Sequence, residues 1–356
     1  MRFVLDFIKT KRNRKFVMMK ELLKSKLRKE NSMNCSGIVN CYSSIPELKD
    51  KDYYVIPQKL DGDAPKEFIS AYIYSTENRF TKRNINSWPK YIAKTAEKWY
   101  PVESITEYTI NKLGETLGLK MNTTKLVVCN GQIRFLSEYF LNTNELLIHG
   151  AEICGDYLND RDFADEIAKN KVVARELFTF ELICKALDNR FKSHSLDIKR
   201  ELVKMIVFDC LLGNNDRHFY NWGVITNTKK TIKMPIFAPV YDSARGLFWN
   251  QSDENIVNIY KHEQEGSSKK IQNYAKNATP RISCENNKKA NHFELVGYLK
   301  SCNKEYQKIA NYLSSRQMER KVISDFKRNY SKFFIKERQL LIEQLISLRF
   351  EQTRKS

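Results

Sequence analysis

The chain has 356 residues, 42% of them hydrophobic and 12% aromatic, with 61 Lys and Arg against 42 Asp and Glu for a formal charge of +19. That length and apolar content suit one large domain or two lobes and exclude global disorder. No apolar run reaches the roughly 18 residues of a membrane-spanning helix, and Arg2, Asp6, Lys9, Lys11 and Arg12 break up the apolar stretch a secretory signal needs, so the expected compartment is the cytosol.

The charge is uneven. Residues 1–30 carry eleven basic and three acidic side chains, net +8, and residues 316–356 carry eleven and five, net +6, which leaves +5 for everything between. Two readings compete for the ends: basic arms that meet nucleic acid or an anionic membrane, or solvated faces of peripheral helices. Between 317 and 348, Val322, Phe326, Phe333, Phe334, Leu340, Leu341, Leu345 and Leu348 recur at helical spacing, which predicts docked helices with the cations on their outer face. In residues 1–30, Phe3, Val4, Phe7, Ile8, Leu22, Leu23 and Leu27 fit either a docked or a loose amphipathic helix. The eight cysteines include no C-x-x-C and, with five scattered histidines, no zinc-ligand spacing; they are expected as reduced thiols, most of them buried.

Phe68, Ile69, Tyr72, Ile73 and Tyr74 predict a first strand, 75–87 a polar loop, and Tyr91, Ile92 and Ala93 a second strand ending at Lys94. A helix follows over 103–117, closed by Gly118. Strands are predicted over 125–129 and 132–139, joined by the hairpin signal Asn130-Gly131. After residue 150 the pattern becomes helical, over 165–187 and 196–212, and then an irregular polar island spans 213–250. The fold class is therefore α+β and bilobal: a basic N-terminal extension over 1–60, a small β-rich lobe over 61–145, and a mainly helical lobe over 146–356.

The island carries the chemistry. It holds Asp216, Asn221 five residues on, and Asp242 in a second loop followed by Gly246. Phosphoryl transfer needs an acceptor that orients or deprotonates the attacking hydroxyl, and oxygen ligands for Mg²⁺ on the nucleotide phosphates. Asp216 suits the first task; Asn221 and Asp242 suit the second. The Asp-to-Asn step is that of the protein-kinase catalytic loop, and Asp242 can play the part of D-F-G. Lys94 ends a strand and Glu107 lies thirteen residues later on the next helix, the order required for a phosphate-binding lysine and the glutamate that fixes it.

The segments 211–218 (Leu-Leu-Gly-Asn-Asn-Asp-Arg-His), 221–223 (Asn-Trp-Gly), 238–242 (Ala-Pro-Val-Tyr-Asp), 105–108 (Ile-Thr-Glu-Tyr) and 117–119 (Leu-Gly-Leu) resemble the HipA-like kinases, and the compact chain resembles their CtkA-type bacterial Ser/Thr kinases. The resemblance implies a protein-kinase-like fold, ATP and Mg²⁺, Asp216 as base, Asn221 and Asp242 as metal ligands, Lys94 and Glu107 as the phosphate-binding pair, and Glu138, Tyr139 and Phe140 as the hinge that meets adenine. His218 is expected to be structural. It also implies a protein substrate with a Ser/Thr acceptor, self-phosphorylation with Ser75 and Thr76 as candidates in the loop over ATP, and a cytosolic site of action, bacterial or, after translocation, in a host; whether an antitoxin-like partner exists is left unknown. Three features depart from the family: the 75–79 loop has no glycine, the N-terminal extension is short, and Asp-Arg-His-x-x-Asn equally resembles phosphatidylinositol kinases. The alternatives are thus a lipid or small-molecule kinase and a nucleic-acid-binding kinase-like scaffold.

Overall fold

The computed structural model describes residues 26–30, 33–58, 60, 65–74, 81–96, 98–229, 235–266 and 269–356. Ser75 and Thr76, and residues 1–25 of the basic N-terminus, lie outside the described residues.

A five-stranded antiparallel sheet is built from β1 (Tyr53–Ile56), β2 (Lys66–Ala71), β3 (Lys90–Lys94), β4 (Thr124–Cys129) and β5 (Gln132–Glu138), in the order β1-β2-β3-β5-β4. The sheet begins earlier than predicted, because β1 falls in the stretch expected as extension, and β2 stops at Ala71, short of Tyr72–Tyr74. Alternation decides what each strand presents. In β3, Tyr91 and Ala93 are buried in one small core with Ile69, Val127, Cys129 and Leu136, so Lys94, one residue on from Ala93, lies on the other face. Residues 26–30 are not helical. Leu27 is 1% exposed in that small core, and Glu30 exchanges hydrogen bonds of 3.1 and 2.7 Å with the Gln132 side chain.

Helix α1 (Val102–Thr116) packs on the sheet and ends as predicted at Gly118, whose φ of 82° only glycine adopts without strain. The Asn111 side chain donates to Asn122 O at 3.1 Å and accepts from Thr124 Oγ1 at 2.9 Å, tying the helix to β4. The hairpin turn Asn130-Gly131 has positive φ at both positions, the conformation that favours Asn-Gly.

A second antiparallel sheet, absent from the prediction, orders β6 (Glu145–His149), β7 (Gly223–Asn227) and β8 (Ile236–Phe237) as β6-β7-β8. The stretch expected as one helix over 165–187 is three: α3 (Arg161–Lys169), which follows α2 (Gly150–Leu158), then α4 (Lys171–Leu177) and α5 (Phe180–Phe191). The breaks are side-chain caps. Asn170 accepts from Val172 N and Val173 N, and Thr179 from Leu182 N. Helix α6 (Ser195–Leu212) is the buried spine of the large core. The remaining helices are α7 (Asp253–Gln264), α8 (Lys270–Asn277), α9 (His292–Cys302), α10 (Lys304–Leu313), α11 (Arg316–Asp325) and α12 (Lys336–Lys355). Among the described residues no helix is long and apolar enough to cross a membrane.

Two expectations need correction. Of the eight cysteines four are buried (Cys129, Cys154, Cys210 and Cys284) and three are exposed, so fewer are interior than expected. In the basic C-terminal stretch most cations are outward, but Arg338 and Arg349 are 0% exposed. Both guanidiniums donate chiefly to backbone carbonyls, of Phe248 and Gln251 for Arg338 and of Cys210 and Ala275 for Arg349, and Arg349 Nη2 is left buried without a partner among the described residues.

Candidate active site

Lys94 and Glu107 meet Asp242, 148 residues beyond the lysine, at one point. Lys94 Nζ is 3.0 Å from Glu107 Oε1 and 2.5 Å from Asp242 Oδ1. Its cross-strand partner is Phe135, whose ring centroid lies 5.7 Å from the ammonium, a cation–π distance. Burial opposes the charge on Lys94, yet the two carboxylates outweigh it and raise its pKa. Burial pushes Glu107 up to about 7 against the pull of Lys94. At Asp242, burial is overcome by Lys94 and the carboxyl is held at about 2. The site thus keeps one cation and one firmly ionised carboxylate, with the second carboxylate poised near neutrality.

The loop that carries Asp216 and Asn221 follows α6. Gly213 caps the helix with φ 76°, and the chain turns through Asn214 to Asp216. Arg217, 3% exposed, pairs bidentately with Asp209 of α6 (Nε–Oδ2 2.9 Å, Nη2–Oδ1 2.9 Å) and donates to Asn221 O at 3.0 Å, Tyr241 O at 2.5 Å and Ser243 Oγ at 2.6 Å. One guanidinium therefore fixes the 213–223 loop to the loop carrying Asp242. Asn221 donates from Nδ2 to Asp216 O at 3.0 Å, leaving its amide oxygen as the acceptor of that side chain. His218 Nδ1 accepts from Tyr220 N at 3.2 Å, closing the loop on itself.

Asp242 itself has φ 54°, and Leu247 and Phe248 have φ 50° and 61°, so strained backbone gathers in this loop. Buried Leu247 and Phe248, with Phe248 N donating to Tyr274 OH at 3.0 Å, hold it in place. From the other side Val240 N donates to Lys120 O at 2.8 Å and Asn122 N to Val240 O at 2.9 Å, which couples the loop to the entrance of β4.

Asp216 is 15% exposed, and both of its oxygens are engaged: Oδ1 by Arg281 Nη2 at 2.7 Å and Oδ2 by Arg245 Nε at 3.1 Å. Of the hinge residues, Glu138 N donates to Thr123 O, Glu138 O accepts from Asn122 Nδ2, and Tyr139 N donates to Lys90 O. Phe140 is thus the member whose backbone amide is uncommitted among the described residues; its ring lies 5.7 Å from that of Tyr241.

Sequence reasoning passed over Asp209, Arg245 and Arg281. Asp209 had a readable signal, an acid inside the apolar run 205–212, because a buried carboxylate demands a cationic partner. Arg281 had none, since it reaches Asp216 across 65 residues of sequence.

Among the described residues no group of three or more His, Cys, Asp or Glu could hold a metal ion. The Asp242 carboxylate and the Asn221 amide are each oxygen donors of the kind that suits Mg²⁺ bound through one or two protein ligands and completed by phosphates and water.

The family model for the HipA-like C-terminal domain matches residues 60–320. A protein of Haemophilus influenzae named "Putative kinase" is 26% identical over 165 residues, 45% of this chain and 46% of that protein; the chain thus spans less than half the length of the curated relative it matches. Among solved structures, the Helicobacter pylori proinflammatory kinase CtkA superposes with a TM-score of 0.65 at 18% identity, over 87% of this chain and 98% of that one. The shared fold is a kinase-like bilobal one, with the five-stranded sheet as the smaller lobe.

Proposed function

Because the chain belongs to the HipA-like C-terminal domain family, we propose that it is an ATP- and Mg²⁺-dependent Ser/Thr protein kinase. The observation that carries this reading is the meeting of Lys94 with Glu107 and Asp242, in which a lysine suited to nucleotide phosphates sits between the glutamate that orients it and the carboxylate suited to the metal. Asp216 takes the proton of the acceptor hydroxyl as its oxygen bonds to the γ-phosphorus; the bond from that phosphorus to the β–γ bridging oxygen breaks, and its electron pair leaves on ADP. Asn221 and Asp242 would hold Mg²⁺, which when bound supplies neutralisation of phosphate charge. Lys94 orients the phosphates, and Arg217 keeps the two catalytic loops in register, so the rate enhancement rests on positioning and electrostatics. Phe140, after Glu138 and Tyr139, offers the hinge backbone to adenine, and Ser75 and Thr76 are the proposed sites of self-phosphorylation.

Incubation of the purified chain with labelled ATP and Mg²⁺ should label the protein itself or a generic protein acceptor. Asp216→Ala and Asp242→Ala should each abolish labelling, and mass spectrometry should place the phosphate at Ser75 or Thr76. Labelling retained in both variants overturns the assignment, and phosphate found only elsewhere removes the two self-phosphorylation sites.

A further inference from the structure

The kinase reading leaves unused the cations that surround its base. Arg281 and Arg245 occupy the two oxygens of Asp216, so an acceptor hydroxyl reaches a carboxylate already engaged on both sides. Arg281 Nε is buried and has no hydrogen-bond partner among the described residues. Lys171, at the start of α4, is not matched to a carboxylate: its ammonium donates to Thr279 Oγ1 at 2.8 Å and Thr279 O at 3.3 Å. Burial, and then the charges of Arg281, Arg175 and Arg245, lower its pKa to about 8, with Asp216 the one carboxylate among the main influences opposing them. The neighbourhood of the base therefore carries more positive charge than its own acids neutralise.

The framework that presents these cations is built. Arg175, 8% exposed, donates to the carbonyls of Pro280, Lys288 and Ala290, and Phe180 N donates to Ser283 O at 2.9 Å. The segment 279–290 is held on α4 and α5, with Arg281 turned toward Asp216. Arg245 is braced over the Trp249 ring, 5.2 Å from its centroid.

Resting on the kinase reading, we propose that Arg281, with Arg245 and Lys171, forms an anion site beside Asp216 that receives an acidic side chain of the peptide bearing the acceptor hydroxyl, so that the enzyme selects acidic sequences. A neutral peptide that draws Asp216 away from Arg281 strands a partly buried guanidinium, whereas an acidic one replaces the carboxylate it displaces. Arg281 and Lys171 act here as specificity residues: the same anion that satisfies them frees the base. Carboxylate and phosphoryl groups share this chemistry, and peptides of each kind tell the two sources apart.

The test uses the full chain at saturating Mg·ATP with four serine peptides that differ only in the residues flanking the acceptor: Glu, phosphoserine, Gln or Lys. With the wild-type chain, kcat/KM on the Glu or the phosphoserine peptide should exceed that on the Gln peptide by about tenfold or more, with the Lys peptide slowest; the better of the two anionic peptides identifies the source. Arg281→Gln should bring the acidic-to-neutral ratio close to unity, and Arg281→Lys should restore part of it. The ratio is internal to each preparation, so lost yield does not affect it, and the wild-type ratio decides alone if a variant fails to fold. Equal rates on all four peptides, or an unchanged ratio in Arg281→Gln, overturn the anion site and leave the kinase reading standing. No transfer to any peptide overturns the anion site, and the absence of a melting-temperature rise with Mg·ATP in that case overturns the kinase reading as well.

Discussion

The Lys94 ammonium lies between two carboxylates that titrate in opposite directions, and the difference follows from their charged neighbours. Burial is the largest influence on both; at Glu107 the charges of Asp242 and Glu103 reinforce it against Lys94, whereas at Asp242 it is outweighed by Lys94, closer at 2.5 Å than the 3.0 Å to Glu107, with His218 and Lys66 adding to the pull. Glu107 has a folded-state value of about 7 against an ordinary 4.5, so across that interval the folded protein keeps a proton that the unfolded chain has released. Stability then falls as pH rises from about 4.5 to about 7 and levels above it. Glu107→Gln lacks this proton. The stability of wild type minus that of Glu107→Gln, from urea unfolding at a series of pH values, should decline over the same interval by at most about 3 kcal/mol. A difference that stays flat or grows with pH would mean that Lys94 holds Glu107 ionised as an ordinary ion pair. Asp242 has the opposite sign: its contribution is present above its ordinary value and is lost as pH falls toward 2.

At the scale of elements, the site depends on how closely the 242–248 loop approaches the end of α6. A Cβ on Gly246 would stand 2.5 Å from Leu212 O and 3.2 Å from Ile110 Cδ1, and Asn215 N donates to Arg245 O at 3.2 Å across the same junction. Gly246→Ala is therefore expected to cost about 1–3 kcal/mol through overpacking against backbone. It should lower phosphotransfer more than tenfold by displacing Asp242, read as a fall in kcat for ATP-dependent labelling with the far-ultraviolet dichroism unchanged; full activity would show that the junction does not position Asp242 for the proposed reaction. Elements with local signals were legible in the sequence. Helices over 103–117 and 196–212 end at Gly118 and Gly213, and the hairpin turns at Asn130-Gly131, each in the positive-φ conformation its residues favour. The apolar period over 165–187 runs unbroken past Asn170 and Thr179, so the two caps that divide it were not. Strands β1 and β6–β8 are of two to five residues, and their pairing is decided by distant partners. The same limit holds at the site: Lys94, Glu107, Asp216, Asn221 and Asp242 stand out by type and order, whereas Arg281 reaches Asp216 only through the fold.

For the molecule as a whole, ten of the eleven cations in the C-terminal stretch fall into two kinds, and the half-buried Arg354 pairs with Glu319. Arg316, Arg320, Lys321, Lys327, Arg328, Lys332, Lys336 and Lys355 are exposed, as the helical spacing predicts. Arg338 and Arg349 instead bind the C-terminal segment to the loop after Asp242 and to the end of α6. Arg338 bonds Phe248 O at 3.1 Å, Gln251 O at 2.6 Å and Asp253 Oδ1 at 2.8 Å. Arg349 bonds Cys210 O at 2.6 Å, three residues before Gly213, whose Cβ position lies 3.3 Å from its guanidinium. The same segment reaches α1, the helix of Glu107, through Thr116 and Asp325 and through Tyr108 and Tyr330 with ring centroids 6.0 Å apart. Neutralising exposed cations should therefore change little, and removing a buried one should loosen the floor under the 213–223 loop. Lys321→Gln and Lys336→Gln are each expected within about 0.5 kcal/mol of wild type, while Arg349→Gln should cost about 2–4 kcal/mol by leaving interior carbonyls without donors and should depress phosphotransfer with it. Denaturant unfolding of the three variants checks this. Equal, small losses in all three would return the whole C-terminal charge to the role of a solvated surface and leave the 213–223 loop held by its own contacts and by the Asp209–Arg217 pair.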